Sequence, residues 1–101
     1  GPNRTVSFDT RITGDGHDGN VAHALGDNAI ASAGEGGADN DGNMAAANGE
    51  ASRAFAGGAG TDNDDNRAVA SDGGIALAGY GGDGNTGYTA NATAGQTVEV
   101  P

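Results

Sequence analysis

The sequence predicts an all-β fold, a short parallel β-solenoid of about four rungs, and three observations carry that expectation. Asp18-Gly19-Asn20, Asp41-Gly42-Asn43 and Asp64-Asp65-Asn66 recur 23 residues apart, and Asp83-Gly84-Asn85 reads as the opening of a shortened fourth copy. Self-similarity at such a period marks stacked units, each completing its buried face only against its neighbour. Each triplet is followed by text in which alternate residues are Ala, as in Val21-Ala-His-Ala-Leu25, Met44-Ala-Ala-Ala-Asn48 and Arg67-Ala-Val-Ala-Ser71. A period of two belongs to a strand. Glycines interrupt every copy, at Gly26, Gly49 and Gly73-Gly74, and each interior Gly would cost a helix about 1 kcal/mol relative to Ala. The competing architecture is an antiparallel β-sandwich, whose short strands have similar spacing.

Taken in order, Gly1-Pro2 reads as a tag scar. Residues 3–17 form a segment of their own, in which Val6, Phe8, Thr10 and Ile12 alternate with polar residues as in a half-buried capping strand. The repeat array spans 18–95, with strands expected near 21–25, 29–33, 44–48, 52–56, 67–71 and 75–78. Each unit is a strand, a tight turn, a second strand and a long Gly/Asp/Asn loop. Residues 96–101 hold a last strand, Thr97-Val98-Glu99-Val100, which covers an edge open to pairing with another chain.

The inner face follows from what cannot be buried. Positions 22, 24, 31 and 33 and their equivalents are Ala, whereas the intervening positions include His23, Asn48, Arg53, Arg67 and Ser71. An unpaired Arg in a narrow interior is prohibitively costly, so the Ala rows face inward. The larger apolar residues then project outward, and a monomer rarely exposes a contiguous apolar patch beyond a few hundred Å². Ile30, Met44, Phe55, Val69, Leu77 and Tyr88 are therefore the candidate contact residues, with a homo-oligomer or a partner protein covering them.

Composition narrows the function classes. Fourteen acidic residues against four Arg give a formal charge of −10, which opposes nucleic acid and anionic membrane, both bound through basic residues. No apolar run approaches the ~18 residues of a membrane span. With no Cys there is no disulfide framework and no cysteine-ligated zinc. Nothing combines a nucleophile with a base in a recognisable spacing, and the expectation is a protein that is not an enzyme. His17 between Asp15 and Asp18 is the one loop histidine near carboxylates.

The loops carry the one chemical suggestion. Calcium takes six to eight oxygens, and closely spaced Asp and Asn on a Gly-bent loop supply them. Stacking the copies aligns Asp39, Asp41, Asp62, Asp64 and Asp83 along one edge as candidate calcium ligands. The plainer reading is that Asp, Asn and Gly tolerate left-handed turn conformations.

Two resemblances touch these segments. Gly57-Gly58-Ala59-Gly60-Thr61-Asp62 resembles the opening of the calcium-binding nonapeptide of RTX β-rolls, which implies a cation at Asp62. Ala22-His-Ala-Leu-Gly26-Asp-Asn-Ala29-Ile-Ala-Ser-Ala33-Gly34 resembles the head repeats of trimeric autotransporter adhesins, which implies a solenoid that works in association with other chains. The functional expectation is a structural or adhesive module, secreted or at the cell surface. The alternatives are a calcium-binding extracellular module that folds on export and, lacking a regular Thr ladder, an ice-binding protein.

Overall fold

The computed structural model describes residues 19–26, 28–34, 39–58 and 60–100. The eight strands are β1 (Val21–Leu25), β2 (Ile30–Ala33), β3 (Met44–Asn48), β4 (Arg53–Ala56), β5 (Arg67–Ser71), β6 (Ile75–Ala78), β7 (Thr89–Thr93) and β8 (Thr97–Val100), with no helix among the described residues. They make two four-stranded sheets, β1-β3-β5-β7 and β2-β4-β6-β8, in which every neighbouring pair is parallel. Consecutive strands alternate between the sheets, so each coil of chain lays one strand in each, which is the solenoid and not the sandwich. The expected N-terminal strand and Asp18 lie outside the described residues.

In-register stacking puts Ala on Ala. Ala22, Ala45, Ala68 and Ala90 form one column of the first sheet, and Ala24, Ala47, Ala70 and Ala92 another. Ala31, Ala54 and Ala76 and then Ala33, Ala56 and Ala78 do the same in the second sheet, where Val98 and Val100 take the last places. All these alanines are buried and form one cluster drawn from both sheets. Each buried methyl contributes about 0.8 kcal/mol, and nothing larger than Ala enters the seam until its last rung.

Strand boundaries match the repeat to within one residue, β2 and β4 each beginning one later than expected. The fourth copy, however, aligns differently from its Asp-Gly-Asn text. Asp64 bridges to Thr86, and the Tyr88 N–H donates to Asn66 Oδ1 at 3.0 Å. Thr86-Gly87-Tyr88 is therefore the equivalent of Asp64-Asp65-Asn66, while Asp83-Gly84-Asn85 stacks on Thr61-Asp62-Asn63, three residues earlier. The long loop is not shortened. Residues 34–43, 57–66 and 79–88 are all ten residues long. The missing residue comes from the tight turn, which has four residues at 26–29 and 49–52 and three at 72–74 and 94–96. Residues 89–93, which the repeat text left without a strand, become β7 in this register.

Two asparagine ladders hold the long loops together. Asn20, Asn43 and Asn66 form one: the Asn43 N–H donates to Asn20 Oδ1 at 2.9 Å, and the Asn66 N–H to Asn43 Oδ1 at 3.0 Å. Asn40, Asn63 and Asn85 form the other, through Asn63 N–H to Asn40 Oδ1 at 2.8 Å and Asn85 N–H to Asn63 Oδ1 at 2.9 Å. The amide nitrogens are used as well, Asn43 Nδ2 donating to Asn63 O at 2.7 Å and Asn63 Nδ2 to Gly82 O at 2.6 Å. Asn40, Asn43, Asn63 and Asn66 are at most 1% exposed. Such burial is tolerable because each carboxamide finds both donor and acceptor partners.

Glycine after the second strand makes room for the first ladder. Gly57 has φ of 63°, and a Cβ there would collide with the side chain of Asn43; Gly34 and Gly79 stand in the same relation to Asn20 and Asn66.

Candidate interaction faces and the acidic edge

The outward side chains form columns set by the register. On the first sheet these are Val21-Met44-Arg67-Thr89, His23-Ala46-Val69-Asn91 and Leu25-Asn48-Ser71-Thr93. On the second they are Ile30-Arg53-Ile75-Thr97 and Ser32-Phe55-Leu77-Glu99, of which Ser32 alone is buried, at 3% exposure. The character of both faces changes along the axis. Val21, Leu25 and Ile30, in the first rung, are 41–49% exposed, whereas the last rung presents Thr89, Asn91, Thr93, Thr97 and Glu99. A polar terminal repeat is the usual end of a solenoid.

The six candidate contact residues do not share one surface. Ile30, Phe55 and Leu77 lie on the second sheet, Met44 and Val69 on the first, and the sheets point these residues away from each other across the alanine seam. Tyr88 belongs to neither strand set; it precedes β7, takes the ladder position of Asn66 and is 36% exposed. On the second sheet the structure adds Tyr80, whose ring lies 5.5 Å from that of Phe55 at an interplanar angle of 47°, a tilted aromatic pair. The one sequence cue to Tyr80 was its place two residues beyond the end of β6.

Arg53 and Arg67 open β4 and β5, in the second and third rungs, and neither has a carboxylate partner among the described residues. Almost every described carboxylate lies elsewhere. Asp39, Asp41, Asp62, Asp64, Asp65 and Asp83 line the long-loop edge, Glu50 and Asp72 the tight-turn edge, and Glu99 alone sits on a sheet face.

The five candidate calcium ligands all lie on the long-loop edge but in three columns. Asp39 stacks with Asp62, Asp41 with Asp64, and Asp83 with Thr61. Two of them accept from backbone: Asp41 N–H donates to Asp64 Oδ1 at 3.0 Å, and Thr61 N–H to Asp83 Oδ1 at 2.9 Å. Asp39, Asp62 and Asp65 have φ of 56°, 61° and 59°, each immediately before a ladder Asn. Asp tolerates this left-handed region better than most residues, so backbone geometry accounts for these three. Among the described residues, no group of three or more His, Asp or Glu side chains converges as a metal site. No protein family, curated protein or solved structure matches this chain.

Proposed function

We propose that this chain is a non-catalytic structural or adhesive module of a secreted or cell-surface assembly, working through its outer sheet faces as a homo-oligomer or with a partner protein. The observation that carries this reading is the inversion of side-chain size. Ala alone fills the seam up to the last rung, while Ile30, Met44, Phe55, Val69, Ile75 and Leu77 stand on the outside of the strands. Burying Leu or Phe contributes about 1.5–3 kcal/mol per side chain, which an outward position leaves to a neighbouring molecule. The surface placement follows the resemblance to bacterial surface repeats. Replacing Phe55 and Leu77 with Ser tests the reading: sedimentation equilibrium should show a lower assembly state with unchanged strand content by circular dichroism. A wild-type chain that stays monomeric, in the absence of any captured partner, overturns it.

A second reading, calcium binding along the long-loop edge, is favoured by six Asp on one edge with no described basic residue among them. Like charges a strand spacing apart repel, and a divalent ion would reverse that cost. Here the melting temperature should rise between chelator and millimolar calcium. No difference would remove this reading.

A further inference from the structure

The two faces differ in one respect that bears on what covers them. The first sheet presents Arg67 and no carboxylate among its outward residues, whereas the second presents one charge of each sign, Arg53 in the second rung and Glu99 in the fourth. Within one chain these two are separated by the rung of Ile75 and Leu77, about 10 Å away along the axis at the spacing of parallel strands. They are also one outward position apart along the strand.

We infer that the outer face of the second sheet docks on the same face of a second copy, about a two-fold axis parallel to the strands and passing over the third rung. Such an axis exchanges the second and fourth rungs and leaves the position along the strand unchanged. Ile75 and Leu77 then lie over Ile75 and Leu77 of the second copy as the apolar centre, and Phe55 flanks it, opposite Glu99 of the second copy. Arg53 comes over Thr97 of the second copy, one outward position, about 6.6 Å along the strand, from that copy's Glu99. A guanidinium spans that offset, so the two-fold makes two Arg53–Glu99 pairs, one on each side of the centre.

Isologous contacts require a patch complementary to itself. This face meets that condition, while the first sheet would set Arg67 near Arg67 with no acid between them. The chain's net charge of −10 opposes association, but the described Asp residues lie at the loop and turn edges, off the face. Opposite charges on the face therefore set orientation, and the apolar centre supplies adhesion. The face is only four strands of four residues, well below standard interface size, so the pair is a weak one.

This inference rests on the assembly reading above, and the experiment separates the two. Arg53→Glu, Glu99→Arg and the double exchange are compared with wild type by sedimentation equilibrium from micromolar to millimolar concentration, at low and moderate salt. Both residues are exposed strand positions, and circular dichroism checks the fold. Each single reversal should raise the dimer dissociation constant about tenfold, and the double exchange should return it to within about threefold of wild type. Singles that match wild type, or a double exchange no tighter than the singles, overturn this geometry. If Phe55→Ser with Leu77→Ser still lowers the assembly state in that case, the assembly reading survives through another arrangement. A wild type that is monomeric throughout overturns this geometry.

Discussion

The long-loop edge and the tight-turn edge close the same coil by different means. Every loop has ten residues and repeats the same left-handed positions before each ladder Asn, whereas the turn shortens from four residues to three between the second and third rungs with no break in the strand register. At the loop edge, side chains bind one rung to the next. At the turn edge the rungs are joined chiefly by backbone, as in Gly49 N–H to Leu25 O at 2.8 Å and Asp72 N–H to Asn48 O at 3.1 Å, and each turn closes on itself through bonds such as Gly74 N–H to Ser71 O at 2.9 Å and Gln96 N–H to Thr93 O at 3.0 Å. The shorter turns, with φ of 51° and 81° at Asp72-Gly73, have the two consecutive left-handed residues of a type I′ turn, for which Asp-Gly is a preferred pair. Length is fixed where a side chain must meet a defined carbonyl in the next coil, and it is free where the backbone only has to reverse.

The sharpest way to break this contrast is Asn66→Ala. The substitution leaves the Tyr88 N–H and the Asn85 carbonyl without their partner and removes a donor to Asn43 Oδ1. With each orphaned buried group costing about 1–3 kcal/mol, the loss should be about 3–5 kcal/mol by urea denaturation. A loss under about 1 kcal/mol would show that the ladder is incidental.

At the turn edge, replacing residues 49–52 by Asp-Gly-Gly converts a four-residue turn into the third rung's three-residue form. The Ser52 Oγ bonds to Asn48 O at 2.7 Å and from Gly73 N–H at 3.1 Å are lost, while a type I′ geometry replaces a left-handed Ala51 of φ 60°. The balance should be a destabilisation of about 1–2 kcal/mol, smaller than that of Asn66→Ala. Removing one residue from 57–66 should instead abolish the cooperative transition, and equal tolerance at both edges would erase the distinction.

The smallest effect is expected at Ala94, which holds φ of 49° in the last turn without the tolerance of Gly or Asn. Ala94→Gly should raise stability by about 0.5–1 kcal/mol, because relief of left-handed strain outweighs the added freedom of the unfolded chain. A drop in thermal midpoint would place the strain elsewhere.

The alanine rows and the strands were legible in the sequence because they depend on local text. Alternation assigns faces, the presence of Arg and His between the alanines decides which face is inside, and a fixed period brings like residues into parallel register. The loop was read less well. Asn43 and Asn66 look the same in sequence as the turn residue Asn28 and the exposed strand residue Asn48, and only the stacked coil provides the carbonyls and N–H groups that make their burial favourable. The same ambiguity misplaced the fourth copy: with two Asn columns three residues apart, Asp83-Gly84-Asn85 fits either one.

What the sequence by itself determined was the kind of object, a parallel stack of coils with an alanine interior and its bulk outside, because period, alternation and the cost of burying charge are properties of the chain text. Only the tertiary structure decided which coil aligns with which, that the candidate contact residues part onto opposite faces, and that Arg53 and Glu99 share one of them. Those facts depend on where the chain turns between strands, and a one-residue difference in a turn moves every later column relative to the repeat.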